Sequence, residues 1–270
     1  MGHIMKNYEA ADARVRAACE RAGRGRLEVT LIAVSKTKPL DDVMDLVRGG
    51  VRDFGENKVQ ELCGKKDVLA GKDTVSANIH VPDGAEDSFD ISQESAASLH
   101  WHLIGHLQTN KVKYVVGRAC LIHSVDSLKL AREIEKEAAK AEAAGRVWEE
   151  DPFGDHSVPV LIEVNIGDEG SKSGVAFDEA KDLVRAAAAL PHIRVRGLMC
   201  IAPAVDDPEE NRGHFVRMRT LKEEIAAEGL ANVEMKELSM GMTGDFEVAI
   251  EEGATLVRVG TAIFGARNYF

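Results

Sequence analysis

The alternation of short apolar runs with helical segments constrains the fold of this chain more than any other feature. Strands of a parallel sheet are covered by helices, so they read as nearly continuous apolar runs rich in β-branched residues. Runs that alternate with helical patterns predict βαβ units and a parallel sheet. There are eight such runs: TLIAVSK, VRDFGEN, HWHLIGH, ACLIHSV, PVLIEVNIG, IRVRGLMCIA, VEMKELSMG and ATLVRVG.

The segments between these runs carry the start and stop signals of helices. PLDDVMDLVRGG has acids in its first turn and two glycines after its last, and SLKLAREIEKEAAKAEAAG is rich in strong helix formers. FDEAKDLVRAAAAL and NRGHFVRMRTLKEEIAAEG stop at Pro191 and Gly229. Eight strand and helix pairs in a chain of this length predict an α/β protein, a single (β/α)8 TIM barrel over residues 1–270.

One polar segment does not follow this pattern. Residues 65–98 are rich in Gly, Ser and charged residues and show weak periodicity. We interpret them as a surface insertion within the barrel, since such a segment lacks the apolar residues that a second domain needs.

Charge and cysteine usage exclude several classes of partner. Lys and Arg total 34 against 45 Asp and Glu, a formal charge of -11, so nucleic acid and anionic membrane surfaces are not expected partners. No uncharged run reaches the ~20 residues of a membrane-spanning helix, and the N-terminus has no apolar leader pattern. The four cysteines show no CxxC spacing, which fits reduced thiols and a cytoplasmic protein.

Lys36 is the first candidate functional residue, because it ends the first apolar run. In a (β/α)8 barrel the βα loops open at the C-terminal ends of the strands, where the functional residues cluster. A lysine in low dielectric has a lowered pKa, and its neutral amine attacks carbonyl compounds, which favours Schiff-base chemistry. The alternative is a lysine whose head reaches water beyond the strand end.

A candidate phosphate site lies in the loops after the last two strands, SMGMTGD and RVGTAIFG. Phosphate sites of barrels often form there, from backbone N–H groups and hydroxyls. Small residues let the backbone approach an anion, and Ser239, Thr243 and Thr261 carry hydroxyls that can donate. Together with an upstream strand-end lysine, these loops indicate a phosphorylated aldehyde as the cofactor.

Arg258 and the histidines leave alternatives open. Arg258 lies within the last strand, where it either donates to a ring nitrogen or pairs with a carboxylate such as Glu163 or Glu237. His100 and His102 share one face of a strand, a pattern that can begin a metal site. No cluster of further ligands accompanies them, so we predict packed or solvated histidines and no metal.

Seven motifs resemble those of one known family. They are LIAVSKTKP, DFGENKVQE, WHLIGHLQTNK, LIHSVDS, VLIEVNIGDEGSKSGV, VRGLMCIAP and LSMGMTGDFEVAIEEGATLVRVGTAIFG. In these motifs, over nearly its whole length, the chain is similar to the YggS/PROSC family, the pyridoxal phosphate homeostasis proteins. That family has the barrel of the alanine racemase N-terminal domain without its second domain. Two departures are the length of the polar insertion and His106.

The resemblance implies roles for individual residues. Lys36 would hold pyridoxal 5'-phosphate as a Schiff base, and Arg258 would face the pyridine nitrogen, which disfavours its protonation and weakens the electron sink. Asn57 would lie beside the cofactor and Met199 near the ring. The loops after the last two strands would hold the phosphate, through Ser239, the backbone of Gly241 and Met242, and the loop at Gly260 and Thr261.

Three functions are compatible with these residues. The resemblance favours a non-enzymatic, monomeric carrier that keeps this vitamin B6 cofactor bound and delivers it to apoenzymes. The alternative is an amino-acid racemase, which needs an acid or base on each face of the substrate carbon; in alanine racemases the second is a tyrosine from another domain. The only tyrosines here, Tyr8, Tyr114 and Tyr269, lie outside the strand-end motifs. An aldolase using Lys36, with Glu56 or Asp126 as acid or base, is a third reading.

Overall fold

Eight parallel strands form the centre of the protein. The computed structural model describes residues 2–71, 98–146, 148–149, 154, 156–167 and 173–266. The barrel strands coincide with the eight predicted runs, and the two-residue β6 adds to the end of β5. The strands are β1 Thr30–Val34, β2 Asp53–Glu56, β3 His100–Leu103, β4 Leu121–Val125, β5 Val158–Asn165, β6 Val175–Ala176, β7 Ile193–Cys200, β8 Val233–Ser239 and β9 Leu256–Val259.

Helices follow most of these strands, and the four segments predicted from start and stop signals are confirmed. The helices are α1 His3–Arg21, α2 Leu40–Arg48, α3 Val59–Leu69, α4 Val112–Val115, α5 Leu128–Ala143, α6 Ala180–Ala188, α7 Arg212–Ala226, α8 Phe246–Glu251 and α9 Thr261–Phe264. Within the described ranges, none is long and apolar enough to cross a membrane.

The strands close into a ring, which confirms the predicted TIM barrel. Neighbours follow the order β4-β3-β2-β1-β9-β8-β7-β5, and a further pairing of β4 with β5 joins the two ends. Every pairing is parallel, as in strands that are joined by helical crossovers. All strand C-termini therefore lie at one end of the barrel, and five of them stand side by side as β2, β1, β9, β8 and β7.

Two apolar layers account for the burial of the strands on both faces. The large outer layer, to which Leu31 and Ala33 belong, packs the strands against the helices. A second cluster contains Ile32, Leu121, Leu161, Met199 and Leu256. Because these five come from five strands around the ring, they meet in the barrel interior; we call them the inner cluster. Successive residues of a strand alternate between the two layers.

The predicted insertion begins inside a helix. Residues 65–69 continue α3, so they belong to the barrel, and Ser98 and Leu99 lead directly into β3. The apolar face of α3 carries Val59, Leu62 and Leu69, a spacing that the polar sequence around it concealed. Residues 72–97, the rest of the predicted insertion, lie outside the described residues.

Candidate functional site

Lys36 follows the end of β1 and is partly buried. It lies two residues beyond Val34, the last residue of β1, and thus at the C-terminal end of the strand that carries Ile32 of the inner cluster. The next residue, Thr37, has a φ of 62°, which is unusual for a β-branched side chain. Two hydrogen bonds hold this turn: Thr37 N–H to Glu61 Oε2 at 2.8 Å, and Lys38 N–H to the Ser35 carbonyl at 3.0 Å. The backbone of Lys36 is therefore fixed.

A buried ion pair supports the same turn from the helix side. Lys65 of α3 donates through Nζ to Glu56 Oε1 at 2.6 Å and to the Ser35 carbonyl at 2.8 Å. The Ser35 hydroxyl donates to the same Glu56 oxygen at 2.6 Å. Burial raises the pKa of Glu56, and the charge of Lys65 acts in the opposite direction. Ser35 precedes Lys36 in the chain, and Glu56 precedes Asn57, so this pair ties two predicted site residues to α3.

Asn57 follows β2 and lies against the end of β3. A Cβ added to Gly105 would stand 2.5 Å from the Asn57 carbonyl oxygen, so glycine alone permits this approach. The partly buried Asn57 is thus placed on the strand next to β1, beside the end that Lys36 occupies.

The loop after β8 is held rigidly. Gly241 has a φ of 90°, and an added Cβ would lie 2.8 Å from Phe246 Cα, so a glycine is required there. Asp245 Oδ1 accepts the Met242 N–H at 2.7 Å, and Asn211 donates to the other oxygen of Asp245 at 2.9 Å. The Met242 amide is therefore already engaged, which the sequence did not reveal.

The loop after β9 forms the one-turn helix α9. Its first residue, Thr261, is exposed at the barrel end, and the Gly260 carbonyl accepts the N–H groups of Ile263 and Phe264 at 2.9 Å. Lys38 donates through Nζ to the Phe264 carbonyl at 2.9 Å. This bond links the turn that carries Lys36 to the predicted phosphate loop, and it occupies the amine of Lys38.

Arg258 of β9 is buried and makes two hydrogen bonds. Its Nη1 donates to Ser239 Oγ at 2.5 Å, and Nη2 donates to the Cys200 carbonyl at 2.8 Å. The alternative of an ion pair with Glu163 or Glu237 is wrong. Glu163 accepts from Ser173 at 2.5 Å, and Glu237 accepts from Thr255 at 2.7 Å.

Burial dominates the electrostatics around this arginine. It lowers the pKa of Arg258, raises the pKa of the Cys200 thiol to about 12, and raises the pKa of Glu163. Desolvation disfavours the charged form of each group, and the effect is greatest where water is excluded. The guanidinium is thus a strong hydrogen-bond donor in a dry interior.

Two histidines of the interior were missed by the sequence reasoning as site residues. His102 of β3 and His123 of β4 are buried, and His102 Nδ1 lies 3.0 Å from His123 Nε2. A signal was available, because His123 is two residues after Leu121 of the inner cluster and thus faces the axis. In the part of the chain that the structure describes, no group of three or more His, Cys, Asp or Glu could hold a metal ion.

The predicted site residues lie on one arc of the barrel end. They follow or end five adjacent strands: Asn57 on β2, Lys36 on β1, Arg258, Gly260 and Thr261 on β9, Ser239, Gly241 and Met242 on β8, and Met199 on β7. Lys36, the buried Arg258 and two loops of small residues thus belong to neighbouring strands at one end of the barrel. This set includes an amine, a guanidinium and hydroxyls, the groups that a phosphorylated pyridine aldehyde requires.

Several known proteins are similar to this chain in sequence and fold. Residues 7–268 match the family described as alanine racemase, N-terminal domain. The chain is 41% identical over 256 residues to the pyridoxal phosphate homeostasis protein of Aquifex aeolicus, covering 95% of each. A solved structure of an unknown protein from Bifidobacterium adolescentis has a TM-score of 0.77 and 36% identity, covering 97% of this chain and 94% of that one. PipY of Synechococcus elongatus with PLP bound has a TM-score of 0.68 and 30% identity, covering 93% and 99%.

Proposed function

This chain belongs to the alanine racemase N-terminal domain family, and within it to the pyridoxal phosphate homeostasis proteins; on that premise we propose that it binds pyridoxal 5'-phosphate at Lys36. Its role is to hold the cofactor reversibly inside the cell and to deliver it to apoenzymes. When bound, pyridoxal phosphate would supply an aldehyde, and Lys36 would supply the amine that holds it.

The placement of Lys36 and Arg258 carries this proposal. They lie on the neighbouring strands β1 and β9, whose register pairs Ile32 with Arg258. Arg258 has the parity of the inner cluster, and Lys36 follows the end of the adjacent strand, so the proposal places the amine and the guanidinium at the same end of the barrel interior. A pyridine ring between them can meet the amine at its aldehyde and the guanidinium at its nitrogen.

Arg258 favours storage over catalysis. A guanidinium only donates hydrogen bonds, so it interacts with the lone pair of a pyridine nitrogen and opposes protonation there. An unprotonated ring withdraws electrons weakly and stabilises a substrate carbanion poorly. Asn57 and Met199 complete the walls of the ring site, one on β2 and the other in the inner cluster.

The loops after β8 and β9 hold the phosphate in this proposal. Ser239, Gly241 and Met242 line the first loop, and Gly260 and Thr261 line the second. The Thr261 hydroxyl and nearby backbone N–H groups are the donors, because the Met242 amide is bound to Asp245.

Racemisation is the less favoured function. It needs a second acid or base across the substrate carbon from Lys36. Of the tyrosines that the structure describes, Tyr8 lies in α1 and Tyr114 is exposed in α4, so neither reaches the strand ends. We therefore propose a carrier without catalytic activity, monomeric and cytoplasmic.

The test is the absorbance of the purified protein incubated with pyridoxal phosphate, followed by borohydride reduction and peptide mapping. The expected result is one pyridoxyl group on the peptide that contains Lys36. Lys36→Ala should abolish the visible band, whereas Lys129→Ala, on the exposed start of α5, should leave it intact. A label on another peptide would overturn the assignment of Lys36, and steady formation of D-amino acids would overturn the carrier.

A further inference from the structure

A continuous chain of polar side chains crosses the barrel interior beneath the candidate site. His102 Nε2 lies 3.3 Å from Asp53 Oδ1 at the start of β2, and His102 Nδ1 lies 3.0 Å from His123 Nε2. His123 Nδ1 lies 2.9 Å from Ser239 Oγ, which accepts from Arg258 Nη1 at 2.5 Å. We call these five residues the relay.

The two ends of the relay determine the position of every proton in it. Arg258 can only donate, so Ser239 Oγ accepts, and the hydroxyl proton of Ser239 is left for His123 Nδ1. His123 then carries its proton on Nε2 and donates to His102 Nδ1. His102 in turn carries its proton on Nε2 and donates to the carboxylate of Asp53, which only accepts.

The opposite direction of donation does not satisfy the same contacts. If His123 Nδ1 donated to Ser239, its Nε2 would have to accept from His102 Nδ1. His102 Nε2 would then face Asp53 with a lone pair, which repels the carboxylate. The Ser239 proton would also lose the acceptor that His123 provides. With both histidines neutral, one direction of donation therefore remains, from Arg258 to Asp53.

The acid end of the relay is strongly anchored. Burial alone would raise the pKa of Asp53, but hydrogen bonds from His100 and His102 outweigh it and hold this pKa well below the usual range. His100 adds its own contact through Nδ1 at 3.1 Å. At the centre, complete burial lowers the pKa of His123 well below its ordinary value, so His123 stays neutral. Asp53 is thus a constant acceptor.

We propose that His102 and His123 are positioning residues, which fix the orientation of the Arg258 guanidinium through this relay. The Cys200 carbonyl holds the second nitrogen of the guanidinium, so its plane is defined by two contacts on different strands. Hydrogen bonds aligned in one direction polarise one another in a dry interior, which strengthens the whole chain. This inference rests on the proposed function only in taking a pyridine nitrogen as the group that Arg258 contacts.

The relay also changes the role of Ser239. Its proton is committed to His123 and one lone pair to Arg258, so its hydroxyl does not donate to a phosphate. Ser239 thereby acts on the pyridine ring through Arg258. The phosphate remains with the other members of the two loops.

The protonation pattern can be tested in the protein without cofactor. Long-range ¹H–¹⁵N correlation spectra of histidine-labelled protein distinguish the two ring nitrogens. The expected result is that both His102 and His123 carry their proton on Nε2, and that Ser239→Ala shifts the Nδ1 signal of His123. A proton on Nδ1 of His123 would overturn the relay. This measurement is independent of whether the protein binds pyridoxal phosphate.

The role of the relay in ligand recognition can be tested with two ligands, pyridoxal phosphate and pyridoxal, which lacks the phosphate. Ser239→Ala should weaken both by a similar factor, about tenfold for a lost charged hydrogen bond, and His123→Gln should do the same. A loss confined to pyridoxal phosphate would make Ser239 a phosphate ligand and refute the positioning role. Ser239→Thr keeps a hydroxyl and should restore binding of both ligands. Circular dichroism of each variant verifies its fold, and the spectra of the unmodified protein test the relay even where a variant does not fold.

Discussion

Replacing Lys65 by methionine should destabilise the protein severely while changing little of its shape. The side chain of Lys65 is 2% exposed and that of Glu56 is fully buried, with 2.6 Å between the paired atoms. The other oxygen of this carboxylate, Glu56 Oε2, has no hydrogen-bond partner among the described residues. Removing one member of a buried pair leaves an uncompensated charge and costs about 3–5 kcal/mol. A typical domain has only about 5–15 kcal/mol of stability in total.

Urea unfolding without cofactor measures this loss. With a slope of ~3 kcal/mol/M, the midpoint of Lys65→Met should fall by about 1–1.7 M. Lys136→Met is the matched control, since Lys136 is exposed and, among the residues that the structure describes, forms its ion pair with Glu133 one turn earlier on α5. The control should lose no more than about 0.5 kcal/mol.

The double variant Glu56→Gln/Lys65→Met separates charge from packing. Because it has no unpaired buried carboxylate, the double variant should regain more than half of the stability that Lys65→Met loses.

The unfolding free energy of Lys65→Met should also depend on pH. Loss of Lys65 leaves burial to raise the pKa of Glu56, so the folded state takes up a proton more readily than the unfolded state. The deficit should therefore shrink between pH 8 and pH 5. A double variant as unstable as the single one would refute the electrostatic reasoning, as would a deficit that grows on acidification.

Three further predictions concern the loops and the surface. Thr37→Gly should raise the unfolding free energy by about 1 kcal/mol in urea, because a β-branched residue at φ 62° is strained; a loss would indicate that the side chain is needed. Lys38→Met removes the amine that holds the Phe264 carbonyl, so it should weaken pyridoxal phosphate binding several-fold, measured by absorbance titration against Lys129→Met; equal affinities would contradict the link between the two loops. The carboxylates of Glu135 and Glu142 raise the pKa of His192. Its stabilising effect is therefore fully present below the unfolded pKa and lost as the pH rises through the folded one, so His192→Gln should cost up to ~1 kcal/mol at pH 6 and almost nothing at pH 9, and a constant difference would exclude the effect.

The fold was predictable because its signal is repeated. Every barrel strand packs apolar residues against the helices, five of the strands also contribute to the inner cluster, and the alternation of runs with helical segments occurs eight times. The position of Lys36 followed from the same topology, since every strand of the barrel ends on the functional face. The start of the insertion was not predictable, because Lys65 and Lys66 look like loop residues until Glu56 is placed beside them.

The relay was not predictable from sequence for a geometric reason. Alternation tells which residues of one strand face the axis, but not the height at which residues of different strands meet. His102 and His123 lie 21 positions apart, and their contact depends on the stagger of β3 against β4, whose register pairs His102 with Leu121. The same holds for Arg258, because the carboxylates considered as its alternative partners lie on β5 and β8 but accept from Ser173 and Thr255.

The two buried polar networks lie on opposite faces of the strands and therefore act on different parts of the site. Ser35 and Glu56 face α3, so the ion pair with Lys65 fixes the backbone that precedes Lys36. Ser239 and His123 face the axis, so the relay fixes Arg258. A substitution that breaks the Glu56–Lys65 ion pair should leave the His123 tautomer unchanged. A substitution that breaks the relay should leave the turn at Lys36 intact. Under the proposed function, the turn at Lys36 held from outside and the donor-only guanidinium of Arg258 held from inside would together favour an unprotonated pyridine ring, which is the state suited to storing the cofactor rather than using it.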